Sequence, residues 1–183
     1  MAAAPARTVA VFGSYDSQPG GEGYPRARSV GRRLAELGYA LANGGYGGSM
    51  EAAARGAVEA GGHTIGVTCS LWRSHPNVFI RQVVETKDLA ERIERLAELG
   101  GAGCVVLPGG TGTLLELAWV WERVAKGIAP ARPIVCVGEF WRPVIDLMAG
   151  ARAGSAEAVS VIAGPEDLTR HFPPVLGRGG GLE

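Results

Sequence analysis

Lysine is nearly missing from this 183-residue chain: of eighteen basic residues only Lys87 and Lys126 are lysines, and the others are arginines. Chemistry that needs a Schiff-base lysine therefore has two candidates. Both stand in charged helical contexts, Thr86-Lys87-Asp88 and Ala125-Lys126-Gly127, where a solvated ammonium is expected. Cysteine is scarce as well. Cys69, Cys104 and Cys136 are odd in number and far apart, which argues against a disulfide framework or a metal-ligand spacing, and they read as reduced core residues. His63, His75 and His171 are scattered and read as structural or solvent-facing. No apolar run approaches the ~20 residues of a membrane span, and no basic segment leads into an apolar one. The expectation is a soluble, cytoplasmic protein. Eighteen basic and eighteen acidic residues cancel, so neither nucleic acid nor a membrane is the expected partner, and any anion site must be local.

Several chemical signatures are missing too. Val11-Phe12-Gly13 is followed by Ser-Tyr-Asp-Ser-Gln rather than Gly-x-Gly-x-x-Gly, which disfavours a hydride-transfer dehydrogenase. No Gly-x-x-x-x-Gly-Lys-[Ser/Thr] is present, which disfavours a P-loop NTPase. No Gly-x-Ser-x-Gly elbow or Cys/His pairing marks a nucleophile.

What is there is an alternation of short apolar runs and amphipathic stretches. Thr8–Ser14, Tyr39–Asn43, His63–Cys69, Gly103–Leu107 and Pro133–Gly138 read as parallel strands buried on both faces. Val78–Val84 reads as a strand or extended segment, and Val159–Ala163 as a last short strand. Helices are expected over Tyr24–Leu37, Met50–Ala60, Lys87–Leu99, Thr113–Lys126 and Arg142–Met148, with a final helical turn at Pro165–His171. Such βα alternation predicts a single α/β domain over 1–172, a doubly wound Rossmann-like parallel sheet with helices on both faces. Residues 1–6 read as a disordered start and 173–183 as a flexible tail. The Trp72, Arg73, His75, Pro76, Asn77 loop mixes residues suited to a pocket rim or to plain surface.

Two glycine-rich strand-to-helix loops stand out. The first in importance is Pro108-Gly109-Gly110-Thr111-Gly112-Thr113-Leu114-Leu115-Glu116. Its glycines permit close backbone approach and positive φ, and the helix behind it aims free N–H groups and a positive dipole end at the same point, so a phosphate would sit well there. Glu116 is expected on the first turn of that helix. The second loop is Gly44-Gly45-Tyr46-Gly47-Gly48-Ser49, with Ser49 as N-cap or phosphate-contacting hydroxyl. Add an arginine on a neighbouring helix, Arg92, and the set suits a nucleoside monophosphate: amides for the phosphate, and a carboxylate for the positive charge that builds on ribose as an N-glycosidic bond breaks.

The Pro108–Glu116 motif closely resembles the Pro-Gly-Gly-x-Gly-Thr-x-x-Glu signature of the LONELY GUY family, cytokinin riboside 5′-monophosphate phosphoribohydrolases formerly labelled lysine decarboxylases. The resemblance runs from about Val9 to Ile162 and includes Phe12-Gly13-Ser14, Asn43–Met50 and Gly62–Val67. It implies Arg92 and Glu116 as catalytic residues. Gly13, Ser14, Gly44, Gly45, Ser49, Gly109, Gly110, Thr111, Gly112 and Thr113 would bind substrate. The implied reaction is hydrolysis of the 5′-monophosphate of adenosine or an N6-substituted adenosine to free base and ribose 5-phosphate. It needs no metal or other cofactor. A homodimer is implied too, with the helix bearing Trp119 and Trp121 as a candidate interface. Ile93 stands where the family carries lysine, and the second glycine loop departs from the family pattern. Molybdenum-cofactor carriers share the glycine architecture and bind a phosphorylated pterin without hydrolysing a nucleotide, which is the alternative.

Overall fold

The computed structural model describes residues 7–72 and 74–175. The expectations for residues 1–6, for Arg73 and for the tail beyond Val175 lie outside the described residues. Seven strands, β1 (Thr8–Phe12), β2 (Ala40–Asn43), β3 (Thr64–Cys69), β4 (Gln82–Thr86), β5 (Gly103–Val106), β6 (Ile134–Val137) and β7 (Val159–Ile162), form one sheet in the order β4-β3-β2-β1-β5-β6-β7. All six pairings are parallel. The doubly wound, Rossmann-like α/β fold is as the alternation of runs implies.

Continuous apolar strands follow from burial on both faces, with successive side chains feeding opposite layers. Val9, Val11, Leu41, Val105, Val135 and Val137 pack with α1 (Gly23–Glu36) and α2 (Ser49–Glu59). Ala10, Phe12, Ala42, Cys104, Val106, Ile134 and Cys136 pack on the other side with α3 (Leu89–Leu99), α4 (Thr111–Ala125) and α5 (Arg142–Ala151). Cys69, Cys104 and Cys136 are free and buried. Burial pushes the Cys104 and Cys136 thiols up to about 12, as core thiols.

Two boundaries differ from expectation in ways that matter. The fourth strand begins at Gln82 rather than near Val78, because Asn77 gathers the preceding residues into a turn: its side-chain oxygen accepts from the Phe79 N–H and its backbone oxygen from the Ile80 N–H. Helix α4 begins at Thr111, two residues early, with Gly110 as its N-cap. Its glycine and threonine residues join the helix instead of the loop, so Glu116 falls on the second turn. At the carboxyl end of the chain's described part, the Tyr39 hydroxyl donates to Pro173 O and the Val175 N–H to Leu37 O, which places 173–175 against the end of α1. Among the described residues no helix is long and apolar enough to cross a membrane.

The sheet order reverses at β1. From there the chain winds outward through β2, β3 and β4, then returns to add β5 on the other side. A crevice outside the carboxyl ends of β1 and β5 is the place where such sheets bind ligands. Both glycine loops open near it.

Candidate active site

The loop after β5 is anchored at its start. The Leu107 N–H donates to Phe12 O, and the buried Trp141 indole donates to Leu107 O at 2.9 Å. Beyond that anchor the backbone is left uncrowded. A Cβ on Gly110 or on Gly112 would meet no atom within 4 Å, and Gly110, Thr111 and Gly112 are exposed. None of Gly109, Gly110 and Gly112 has positive φ. What these glycines provide is approach, with the free N–H groups of the α4 start beside them. Thr113 is different: it is buried, and its hydroxyl sits where a Gly109 side chain would go.

The second glycine loop is filled by the protein itself. Gly44, Gly45, Tyr46, Gly48 and Ser49 are all buried. Gly45 and Gly48 take positive φ, and a Cβ on Gly48 would strike the backbone carbonyls of Ser14 and Tyr15. The N-cap of α2 is Gly48, not Ser49. Ser49 gives both its N–H and its hydroxyl to Ser14 O, at 2.8 and 2.9 Å, so a carbonyl of the chain takes the place an anion would want. Gly13 is small because the Ser49 hydroxyl lies against it. The Ser14 hydroxyl points to Asp16, accepting from its N–H and donating to its carboxylate. Asn43, which ends β2 fully buried, donates to Met50 O and accepts from the Gly45 N–H at 2.8 Å each.

That closed loop makes the floor for Arg92. A side chain on Gly44 would collide with the Arg92 guanidinium and the Met50 sulfur. Arg92 is only 6% exposed, although its neighbours on α3 include Glu91, Glu94 and Arg95. Its Nε donates to Val67 O at 3.0 Å and its Nη1 reaches Glu116 Oε1 at 3.4 Å. The surface pairing open to an arginine on such a helix is therefore not its role. Glu116 is 9% exposed. Burial pushes its carboxyl up to about 7, and the Arg92 charge pulls the other way. Glu116 is thus a buried carboxyl raised towards neutrality, facing the Arg92 guanidinium one turn inside an exposed helix start.

Tyr46 and Trp72 complete the surroundings of Arg92; the sequence offers Trp72 only as pocket rim or plain surface and gives Tyr46 no role of its own. The guanidinium carbon lies 5.8 Å from the Tyr46 ring centroid and 5.1 Å from that of Trp72. Tyr46 was legible only as the one side chain within a run of glycines. Lys87 and Lys126 are both exposed, and Lys126 pairs with Glu122. Among the described residues no cluster of three His, Cys, Asp or Glu side chains could hold a metal. Of the two tryptophans on α4, Trp121 is interior, donating to Ser155 O, while Trp119 shares the exposed face with Leu114 and Leu115.

A family model described as possible lysine decarboxylase matches residues 50–171. No curated protein matches the chain. Among solved structures, the molybdenum cofactor binding protein of Rippkaea orientalis is 23% identical, with a TM-score of 0.73 over 92% of this chain and 96% of that one. The molybdenum cofactor carrier protein of Chlamydomonas reinhardtii is 25% identical, with a TM-score of 0.67 over 87% of this chain and 91% of that one.

Proposed function

Because this chain belongs to the family described as possible lysine decarboxylase, we propose that it is a hydrolase of purine nucleoside 5′-monophosphates. It cleaves the N-glycosidic bond of AMP or an N6-substituted analogue to free base and ribose 5-phosphate. The observation that carries this reading is the buried contact of Arg92 with Glu116, 3.4 Å apart and one helical turn beyond the open start of α4. The phosphate takes the N–H groups at Gly110, Thr111 and Gly112. Glu116, when ionised, faces the ribose carbon, offsets the positive charge that develops there and orients the attacking water. The C–N bond breaks, the water oxygen bonds to the ribose carbon, and the water's protons are shared between that new hydroxyl and the departing base. Arg92, held by Val67 O, favours the ionised form against the effect of burial and aims the carboxylate.

A lysine-dependent decarboxylation draws no support from the site, since both lysines are exposed while Arg92 and Glu116 are buried. The reading includes a homodimer in the cytoplasm, with the exposed Leu114, Leu115 and Trp119 face of α4 as the surface that a second copy would cover. A second reading, a non-catalytic carrier of a phosphorylated pterin, is favoured by the 25% identity to the Chlamydomonas carrier. Product identification separates the two. Purified protein incubated with AMP should yield adenine and ribose 5-phosphate in equal amounts by chromatography. No base release above a mock preparation, from AMP or its N6-isopentenyl analogue, excludes the hydrolase and leaves the carrier.

A further inference from the structure

Trp72 has two sides. One meets Arg92 and, edge-on at 5.8 Å, the Tyr46 ring. The residue is nonetheless 42% exposed, a large share for so apolar a side chain. Beside it opens a cavity of about 460 Å³ at the carboxyl ends of β3 and β4, lined by Trp72, Thr68, Ser70, His75 and Pro76 and by Glu85 of the edge strand. That volume falls within the ~300–1,000 Å³ of small-molecule sites.

The wall is not a loose loop. The Asn77 backbone N–H donates to Gly45 O, and its side-chain amide donates to Gly45 O and Tyr46 O at 3.0 and 2.7 Å. The Cys69 N–H donates to the Tyr46 hydroxyl. The loop that carries Trp72 is thus stitched to the same glycine run that floors Arg92. Neither the Glu85 carboxylate nor the His75 imidazole makes a hydrogen bond or ion pair among the described residues.

We propose that this cavity takes the planar heteroaromatic end of the ligand, a fused amino-bearing ring of the purine or pterin kind, stacked on Trp72. The placement rests on the proposed function only for the other end, the phosphate at the start of α4. A free carboxylate repels phosphate and accepts from an exocyclic amine, so Glu85 sets which end of the ligand points here. The exposed indole face offers stacking, worth roughly a tenfold to hundredfold in affinity per base. Span agrees as well: β5 and β3 are three strand spacings apart, about 14 Å, comparable to the length of an extended nucleoside monophosphate. The bond to be broken then lies between, at Arg92 and Glu116.

Calorimetric titration of wild type, Trp72→Ala and Glu85→Ala with adenine, with pterin and with ribose 5-phosphate tests this without any turnover. Wild type should bind a free ring, and whichever of adenine and pterin binds tighter names the source. Trp72→Ala should weaken that ring about tenfold or more, and Glu85→Ala severalfold. Ribose 5-phosphate should change less than about twofold in either variant, which also shows that the variants remain folded. That pattern upholds the cavity even if AMP is never hydrolysed. The proposal is overturned if wild type binds neither ring, if ring affinity is unchanged in both variants, or if ring and ribose 5-phosphate weaken together.

Discussion

The two glycine loops look alike on paper and do opposite work. In Gly44–Ser49 nearly every missing side chain is replaced by another part of the protein: the Arg92 guanidinium at Gly44, backbone carbonyls at Gly48, the Ser14 carbonyl on Ser49. In Gly109–Thr113 only Gly109 is crowded, and Gly110 and Gly112 face open space. One loop spends its glycines on packing, the other on access. A run of glycine therefore tells where a backbone is approached and not by what.

The comparison can be broken by adding one methyl group at a time. Gly48→Ala should have the largest effect, since it puts a Cβ into two carbonyls and an alanine at φ +69°. A loss of roughly 2–5 kcal/mol is expected, read as a lower denaturant midpoint. Gly44→Ala has an unstrained backbone, but its Cβ pushes on Arg92. In the proposed reaction Arg92 aims Glu116, and misplacement by about an ångström costs on the order of a hundredfold in rate, so adenine release should fall about that far while the midpoint moves less than in Gly48→Ala. If both variants keep wild-type stability and rate, the second loop is not the floor described.

The next effect is one of pH. Burial raises the Glu116 carboxyl to about 7, and the proposed reaction uses the ionised form, which is lost as pH falls through that value. The rate at limiting substrate should drop about tenfold for each pH unit below 6 and level off above 8. A profile flat from pH 5 to 8 would remove Glu116 from its role. Gly112→Ala gives the smallest change. Stability should hold within about 0.5 kcal/mol or rise slightly, because alanine suits a helix better than glycine. KM for AMP should rise severalfold as the methyl group enters the phosphate's approach. Equal destabilisation by Gly112→Ala and Gly48→Ala would erase the distinction between the loops.

Much of the architecture was legible in the sequence because parallel strands buried on both faces write themselves as Val/Ala/Leu runs, and those at Val9, Leu41, Ile65, Val105 and Val135 lie where the runs are. The edge strand was harder. In β4 Gln82 and Val84 are half-buried while Val83 and Glu85 are exposed, and the Asn77 turn that delays its start is itself pinned to Gly45 and Tyr46, 32 and 31 residues away. No local pattern carries such a bond. The same holds for Ser49, whose hydroxyl suits a cap or a phosphate by type but is donated to Ser14 O. Arg92 shows the opposite limit: its neighbours read as a solvated face, and only the fold reveals that its side chain turns inward over Gly44. Trp72 and Tyr46 were invisible as partners because a cation between two rings has no spacing rule.

The central claim is that Glu116 acts on a nucleotide, and paired kinetics of AMP cleavage by wild type and Glu116→Gln test it most directly. The account predicts adenine release by wild type, with kcat falling about a thousandfold in the variant and KM staying within about threefold. Release at the wild-type rate by Glu116→Gln, or none by wild type, would contradict it.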